Sequence, residues 1–210
     1  MGYVIYGQPG FGSMVVEAAF AVAGAPYRLE ETRKGPDGSY SAAFLALNPR
    51  GQVPALALPD GSVMTETTAI LLHLADALPQ GVSGASLAPP PGSAARAQHD
   101  RWLTFIQANI YEGILRTSYP ERYVTDQAAA AAVKAAAQVY VMDHFRILEA
   151  VIAGPYLFGA KICAVDLYLW MLVQWVDQAP LAAACPKVMA LCATVAGRAD
   201  MADVALRNAE

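Results

Sequence analysis

The sequence is poor in cysteine and in charged residues. Its 210 residues include three cysteines, and Asp, Glu, Lys and Arg together make up 15% of the chain. Cys163, Cys185 and Cys192 have neither the spacing of a metal site nor that of a Cys-x-x-Cys redox pair. An odd number of dispersed cysteines indicates free thiols in a reducing compartment. We therefore expect a cytoplasmic protein that uses no metal and no dithiol chemistry.

The sequence also lacks the features of proteins that bind nucleic acid or cross a membrane. The net charge is −4, so the chain offers no basic footprint for nucleic acid. Charges, prolines and glycines interrupt its apolar runs before they reach the length of a membrane span, and residues 1–15 lack the pattern of a secretory signal. Hydrophobic residues nevertheless make up 56% of the chain. We expect one or two domains with a large core, and neither a membrane nor a nucleic acid as partner.

Residues 1–80 alternate between strand and helix patterns. The predicted strands cover residues 3–6, 26–31, 54–58 and 62–65, and the predicted helices cover residues 13–23, 41–47 and 66–78. Pro59-Asp60-Gly61 is a turn sequence between the last two strands. The order predicts a parallel βαβ unit followed by an antiparallel hairpin and a covering helix, which is a thioredoxin-like α/β domain.

The chain changes character after residue 80. Gly, Ser and Pro dominate residues 81–92, which we interpret as a linker. Residues 93–210 carry helical patterns at 93–119, 125–153 and 164–179, and two shorter ones after Pro180. The predicted fold class is therefore a thioredoxin-like α/β domain over residues 1–80 and an all-α domain over residues 93–210.

The run Asn48–Leu56 contains the first candidate site. Val53-Pro54 opens a predicted strand, where a proline costs no ladder hydrogen bond. An X-Pro bond in such a tight approach is the best place for a cis peptide. A cis bond would turn the N–H and C=O of Val53 outward and leave them unpaired. Unpaired backbone groups at a sheet edge invite an extended peptide to add a strand.

The run Met64–Ile70 contains the second candidate site. It is a polar cluster that opens an apolar helix. The N-terminus of a helix, with its hydroxyls and free N–H groups, binds a carboxylate. Glu66 beside it offers a negative charge for an ammonium. The two runs together predict a site for a short peptide that carries both charges.

These two motifs in this order, followed by a linker and a helical domain, resemble the soluble bacterial-type glutathione S-transferases, and the resemblance covers the whole chain. It implies that Val53, ahead of a cis Pro54, pairs with the cysteinyl backbone of glutathione. It implies that Glu66 and Thr67 hold the γ-glutamyl end, with Thr67 keeping the hydroxyl of the serine common in the family. Gln52 would reach the same ligand from the loop. Arg50 and Lys34 are the two alternatives for the glycyl carboxylate.

A further resemblance lies in the second half of the chain. The run Gly159–Leu167 is similar to the buried capping box that precedes a central helix in the family, with Cys163 where Ser or Thr is usual. Asp166 would reach back to the Cys163 backbone N–H, while a thiol is a poor acceptor for the return bond. We interpret Asp166 as structural.

Catalysis in this family needs glutathione as a thiolate. A free thiol has a pKa near 8.5, and lowering it by about 2 units requires roughly 2.7 kcal/mol of stabilisation. One hydroxyl hydrogen bond and the positive end of a helix can supply that energy. Ser13 is the preferred catalytic residue, because its oxygen and the N–H groups of the first helix would converge on one point. Tyr6, at the end of the first strand, is the alternative. Gly12 stands where some bacterial relatives carry a cysteine.

The resemblance implies an enzyme that conjugates the glutathione thiolate to small hydrophobic electrophiles, as in detoxification, and that forms a homodimer. Glutathione would be the co-substrate, with no metal. Two alternatives stay open. One is a non-catalytic binding or scaffold protein with the same fold. The other is a glutathione-dependent isomerase or peroxidase, since both reactions begin from the same thiolate.

Overall fold

The computed structural model of the chain describes residues 2–78 and 86–209. Residues 79–85, which include the start of the predicted linker at residue 81, lie outside this description. The chain divides into two compact units, Met1–Ser93 with Ala196–Glu210, and Ala94–Val195. Residues 196–210 therefore group with the first unit, whereas the sequence pattern assigned them to the helical domain. The domain limits otherwise stay a prediction.

The described strands of the first unit form one four-stranded sheet in the order β2-β1-β3-β4. The strands are β1 Tyr3–Gly7, β2 Tyr27–Glu31, β3 Ala55–Ala57 and β4 Val63–Met64. β1 runs parallel to β2 and antiparallel to β3, and β3 and β4 are antiparallel. This is the predicted βαβ unit with an antiparallel hairpin.

The described part of the first unit contains four α-helices. They are α1 Ser13–Ala23, α2 Ala42–Leu47, α3 Thr67–Ala77 and, from the C-terminal segment, α10 Ala202–Arg207. α1 is buried on nearly every side because its residues are apolar, and it ends at Gly24 in the left-handed conformation that favours glycine. Phe20 of α1 is fully buried, as are Ile5 and Leu56 of the sheet and Leu74 of α3.

The described part of the second unit is helical apart from one isolated β-bridge. Its α-helices are α4 Ala94–Phe105, α5 Glu112–Ser118, α6 Ala130–Val151, α7 Ala164–Val173, α8 Gln178–Ala184 and α9 Pro186–Ala196. A π-helical stretch, Ile106–Tyr111, joins α4 to α5. The predicted helix 164–179 stops at Val173, because Asp177 caps a new helix by accepting the Ala179 N–H at 3.1 Å.

Among the described residues, no single helix is both long and apolar enough to cross a membrane. Helices α8 and α9, which are bent by 116° at the break between them, are together long and apolar enough to cross a membrane by length and composition only.

The start of α7 is organised by a buried carboxylate. Asp166 is fully buried and accepts the backbone N–H groups of Leu157 and Cys163, each at 2.8 Å. The thiol of Cys163 donates to the same carboxylate, with Sγ 3.3 Å from Oδ2. Burial raises the pKa of Asp166 to about 6, although these hydrogen bonds act in the opposite direction. The capping box expected here is present, with cysteine in the position of the usual hydroxyl residue.

Candidate functional site

The loop that leads into β3 is held by Asn48. This buried side chain donates from Nδ2 to the Gln52 carbonyl at 2.7 Å and accepts the Arg50 N–H at 3.2 Å. Gly51 donates its N–H to the Asn48 carbonyl at 2.9 Å and has a φ of 60°, a conformation that suits glycine. Sequence reasoning missed Asn48. An asparagine directly before Pro-Arg-Gly was the available signal, since its side chain readily bonds the backbone of a turn.

The Val53–Pro54 peptide bond is cis. β3 begins its pairing at Ala55, so both residues precede the described ladder. Val53 is 7% exposed and packs in a cluster with Tyr40, Phe44 and Ala55. The side chain of Val53 is thus fixed in the core, while its backbone lies just beyond the end of a strand.

Glu66 stands at the start of α3 in a conformation that is unusual for its type. It is the N-cap residue, with a φ of 66°, and α3 begins at Thr67. A left-handed conformation at a non-glycine residue costs energy and occurs often at functional sites. The Glu66 side chain is half exposed, and its Oε1 accepts from Nη1 of Arg50 at 3.0 Å. Thr67 is buried. The charge of Glu66 therefore points to solvent beside a cation that an incoming ligand could displace.

Ser13 begins α1, but its hydroxyl already has two partners. Oγ accepts the Gln8 N–H at 3.1 Å and donates to the Gln8 carbonyl at 3.0 Å. The residue is 0% exposed. A Cβ on Gly7 would lie 2.3 Å from the Ser13 Cβ. The backbone of β1 at Gly7 therefore packs directly on the Ser13 side chain. This geometry favours a role for Ser13 in closing the turn before α1, and the turn would have to open for its oxygen to reach a sulfur.

Tyr6, the alternative hydroxyl, lies on the side of the sheet that faces Val53. It is paired with Ala55 across β1 and β3 and packs against the cluster that contains Val53 and Phe44. The rings of Tyr6 and Phe44 are 6.2 Å apart. Tyr6 is partly exposed, and its hydroxyl has no hydrogen-bond partner within the described ranges. The Tyr6 oxygen is therefore more available to a ligand than the Ser13 oxygen, which makes two hydrogen bonds.

Gly12 connects the start of α1 to the cis-proline segment. A Cβ built on Gly12 would lie 3.2 Å from Cδ of Pro54 and 3.3 Å from the carbonyl oxygen of Val53. The loop 8–12 is thus packed against the Val53–Pro54 edge, and a cysteine at this position would require its neighbours to shift slightly. Gly12, directly before α1, therefore lies beside the segment that is predicted to bind the peptide.

Several known proteins that are similar to this chain share one family name. A family model described as glutathione S-transferase, N-terminal domain, matches residues 13–77. The uncharacterised GST-like protein YncG of Escherichia coli K12 is 33% identical over 175 residues, which are 81% of this chain and 80% of YncG. The chain belongs to the glutathione S-transferase family. Glutathione S-transferase GstA of Escherichia coli O157:H7 is 32% identical over 135 residues, covering 63% of this chain and 61% of GstA.

Solved glutathione S-transferase structures confirm the predicted fold. A glutathione transferase homologue from Sulfitobacter, solved with bound glutathione, aligns with a TM-score of 0.81 at 27% identity, over 97% of this chain and 96% of that one. A sphingomonad glutathione S-transferase complexed with glutathione aligns with a TM-score of 0.78 at 27% identity, over 98% of both chains. The thioredoxin-like domain followed by an all-α part, and the bacterial-type family, are confirmed.

Proposed function

We propose that this family member is an enzyme that conjugates the thiolate of glutathione to small hydrophobic electrophiles. The observation that carries the proposal is the packing of Gly12, at the start of α1, against the cis Val53–Pro54 segment. That contact sets the start of a helix, a source of positive potential, beside the backbone that is predicted to pair with the peptide. Glutathione bound in two similar structures supports the choice of peptide.

The peptide would be held at four points of the first unit. The backbone of Val53 would pair with the cysteinyl residue, and Gln52 would reach the ligand from the loop that Asn48 holds. Glu66 would exchange its partner Arg50 for the ammonium of the γ-glutamyl group, while the start of α3 at Thr67 would take the adjacent carboxylate. Because the ion pair of Glu66 and Arg50 is half exposed, exchanging it costs little.

The thiol would lose its proton at the start of α1. We place the Tyr6 hydroxyl first as hydrogen-bond donor to the sulfur and the Ser13 hydroxyl second, because Ser13 is bonded to Gln8. The N–H groups of the first turn of α1 add a favourable potential in either case. In the reaction the proton leaves to solvent, and the sulfur forms a bond to an electrophilic carbon as the leaving group departs.

A non-catalytic glutathione-binding protein is the second candidate. The commitment of Ser13 to Gln8 and the absence of a side chain at Gly12 favour it, since both remove groups that could activate the thiol. Isomerase and peroxidase activity are further uses of the same thiolate. Cytoplasmic location and a homodimer are also proposals, which rest on the cysteine content and on the family.

One pair of assays separates these functions. Calorimetry measures glutathione binding, and a panel of electrophiles, including an aryl halide and an organic hydroperoxide, measures turnover. We expect binding together with conjugation of at least one electrophile. Binding without turnover would favour the non-catalytic protein, and turnover of the hydroperoxide alone would favour a peroxidase. No binding at millimolar glutathione would contradict both candidates.

A further inference from the structure

The C-terminal segment of the first unit packs on the helix that opens the candidate site. Met201 and Val204 are buried there, and α10 and the turn before it contact α1. We call residues 202–208 the C-terminal clasp. Its last two residues, Arg207 and Asn208, each hold a polar group of the N-terminal part of the chain.

Arg207 holds a buried carboxylate. Glu17, in the middle of α1, is 0% exposed, and its Oε2 accepts from the Tyr27 hydroxyl at 3.2 Å and pairs with Nη1 of Arg207. The same Nη1 lies 3.1 Å from the Tyr27 oxygen. Burial raises the pKa of Glu17 above its ordinary value, and the charge of Arg207 opposes that rise. A buried carboxylate that lost its cation would be costly, so this pair anchors the clasp.

Asn208 reaches the loop before α1. It is 6% exposed, and its Nδ2 donates to the Val204 carbonyl at 2.9 Å, which fixes the orientation of the amide. Its Oδ1 then accepts the Gly10 N–H at 2.9 Å. Gly10 has a φ of 74° and belongs to the same loop 8–12 as Gly12. Contacts therefore run without a break from the C-terminal clasp, through the loop, to the Val53–Pro54 edge.

We propose that Asn208, anchored by the pair of Arg207 and Glu17, is a positioning residue that holds loop 8–12 in the form that binds glutathione. The proposal rests on the proposed function for its ligand. Asn208 acts through Gly10. The body of α1 is held by its apolar core contacts, and Ser13 stays bonded to Gln8. Loss of the Asn208 bond therefore loosens the loop at Gly10 without moving the helix. The expected consequence is weaker glutathione binding in a folded protein.

The test compares the unchanged chain with Asn208→Ala. Leu206→Ala is the matched control, because Leu206 belongs to the same C-terminal clasp and is 75% exposed. Hydrogen–deuterium exchange reports on loop 8–12 and on α3, and calorimetry reports the affinity for glutathione. We expect Asn208→Ala to speed exchange in the loop, to leave α3 unchanged and to weaken glutathione binding about fivefold. Leu206→Ala should do none of these.

Unchanged loop exchange in folded Asn208→Ala would overturn the proposal, and so would faster exchange with unchanged affinity. If Asn208→Ala does not fold, Asn208→Leu takes its place, since it keeps the size of the side chain but lacks the acceptor. Should the wild-type protein bind no glutathione, the proposed function fails. The exchange measurement then still decides whether Asn208 holds the loop.

Discussion

The helices α3 and α7 both start at a carboxylate, yet the two carboxylates are placed in opposite ways. Asp166 is fully buried, accepts two backbone N–H groups and a thiol, and is part of a complete capping box. Glu66 is half exposed, makes no capping hydrogen bond, and sits in a left-handed conformation beside Arg50. A carboxylate that serves the fold is saturated by its own chain. If Glu66 binds the ligand as proposed, its charge stays accessible at a cost to the local backbone.

The largest expected effect is on stability and comes from the saturated carboxylate. Asp166→Ala leaves the N–H groups of Leu157 and Cys163 buried without an acceptor, which should lower the free energy of unfolding by about 4 kcal/mol. Urea unfolding measures this loss. Asp177→Ala is the control, because Asp177 also caps a helix but on the exposed surface. If Asp166→Ala lowered the free energy of unfolding no more than Asp177→Ala does, the buried carboxylate would not have a special structural role.

A smaller effect on stability should follow pH. The pKa of Asp166 is about 6 in the folded protein, above the unfolded value of 3.8, so the folded state binds its proton more tightly. This contribution to stability is fully present below the unfolded value and is lost as the pH rises through 6, by up to about 3 kcal/mol. Asp166→Asn should flatten the profile between pH 4 and 6. Comparison of the two profiles isolates Asp166 from Glu17, whose pKa is also raised. If stability changed with pH in the same way in the wild-type protein and in Asp166→Asn, Asp166 would not be the source of this pH dependence.

The exposed carboxylate should show its effect on the ligand instead. Glu66→Ala should weaken glutathione binding by roughly 1.5–3 kcal/mol, the scale of a hydrogen bond to a charged group, with little change in unfolding. Calorimetry checks the first expectation and urea unfolding the second. Glu31→Ala is the control, since Glu31 is likewise half exposed and paired with an arginine in the first unit. An unchanged affinity in folded Glu66→Ala would exclude Glu66 from the site.

Local signals in the sequence account for the parts that were predicted. Alternation, helical periodicity and the turn at Pro59-Asp60-Gly61 act over a few residues, and they placed the strands and helices of the first unit in the right order. The start of α3 at Thr67, directly after Glu66, followed from the same kind of signal. The strained backbone at Glu66 could not be predicted in this way, because the φ angle of this residue depends on how the chain enters the helix.

Contacts between distant residues account for what was not predicted. Arg207 and Glu17 are 190 positions apart, so no periodicity could assign the C-terminal clasp to the first unit. The hydroxyl of Ser13 was expected to reach the sulfur of glutathione because its oxygen and the N–H groups of α1 would converge on one point. The structure shows that the turn from Gln8 folds back on it, which depends on the close packing at Gly7. Helix propensity alone could not show which hydroxyl stays available.

The most direct test of the account is a titration of the glutathione thiolate by its ultraviolet absorbance in the bound state. If the start of α1 and the Tyr6 hydroxyl stabilise the thiolate, the pKa of bound glutathione should fall to roughly 6.5 in the wild-type protein. Tyr6→Phe should raise it again, and Ser13→Ala should change it less, because its oxygen is bonded to Gln8. A larger shift in Ser13→Ala would restore Ser13 as the activating residue. A bound thiol that titrates like free glutathione in the wild-type protein would contradict the proposed enzyme.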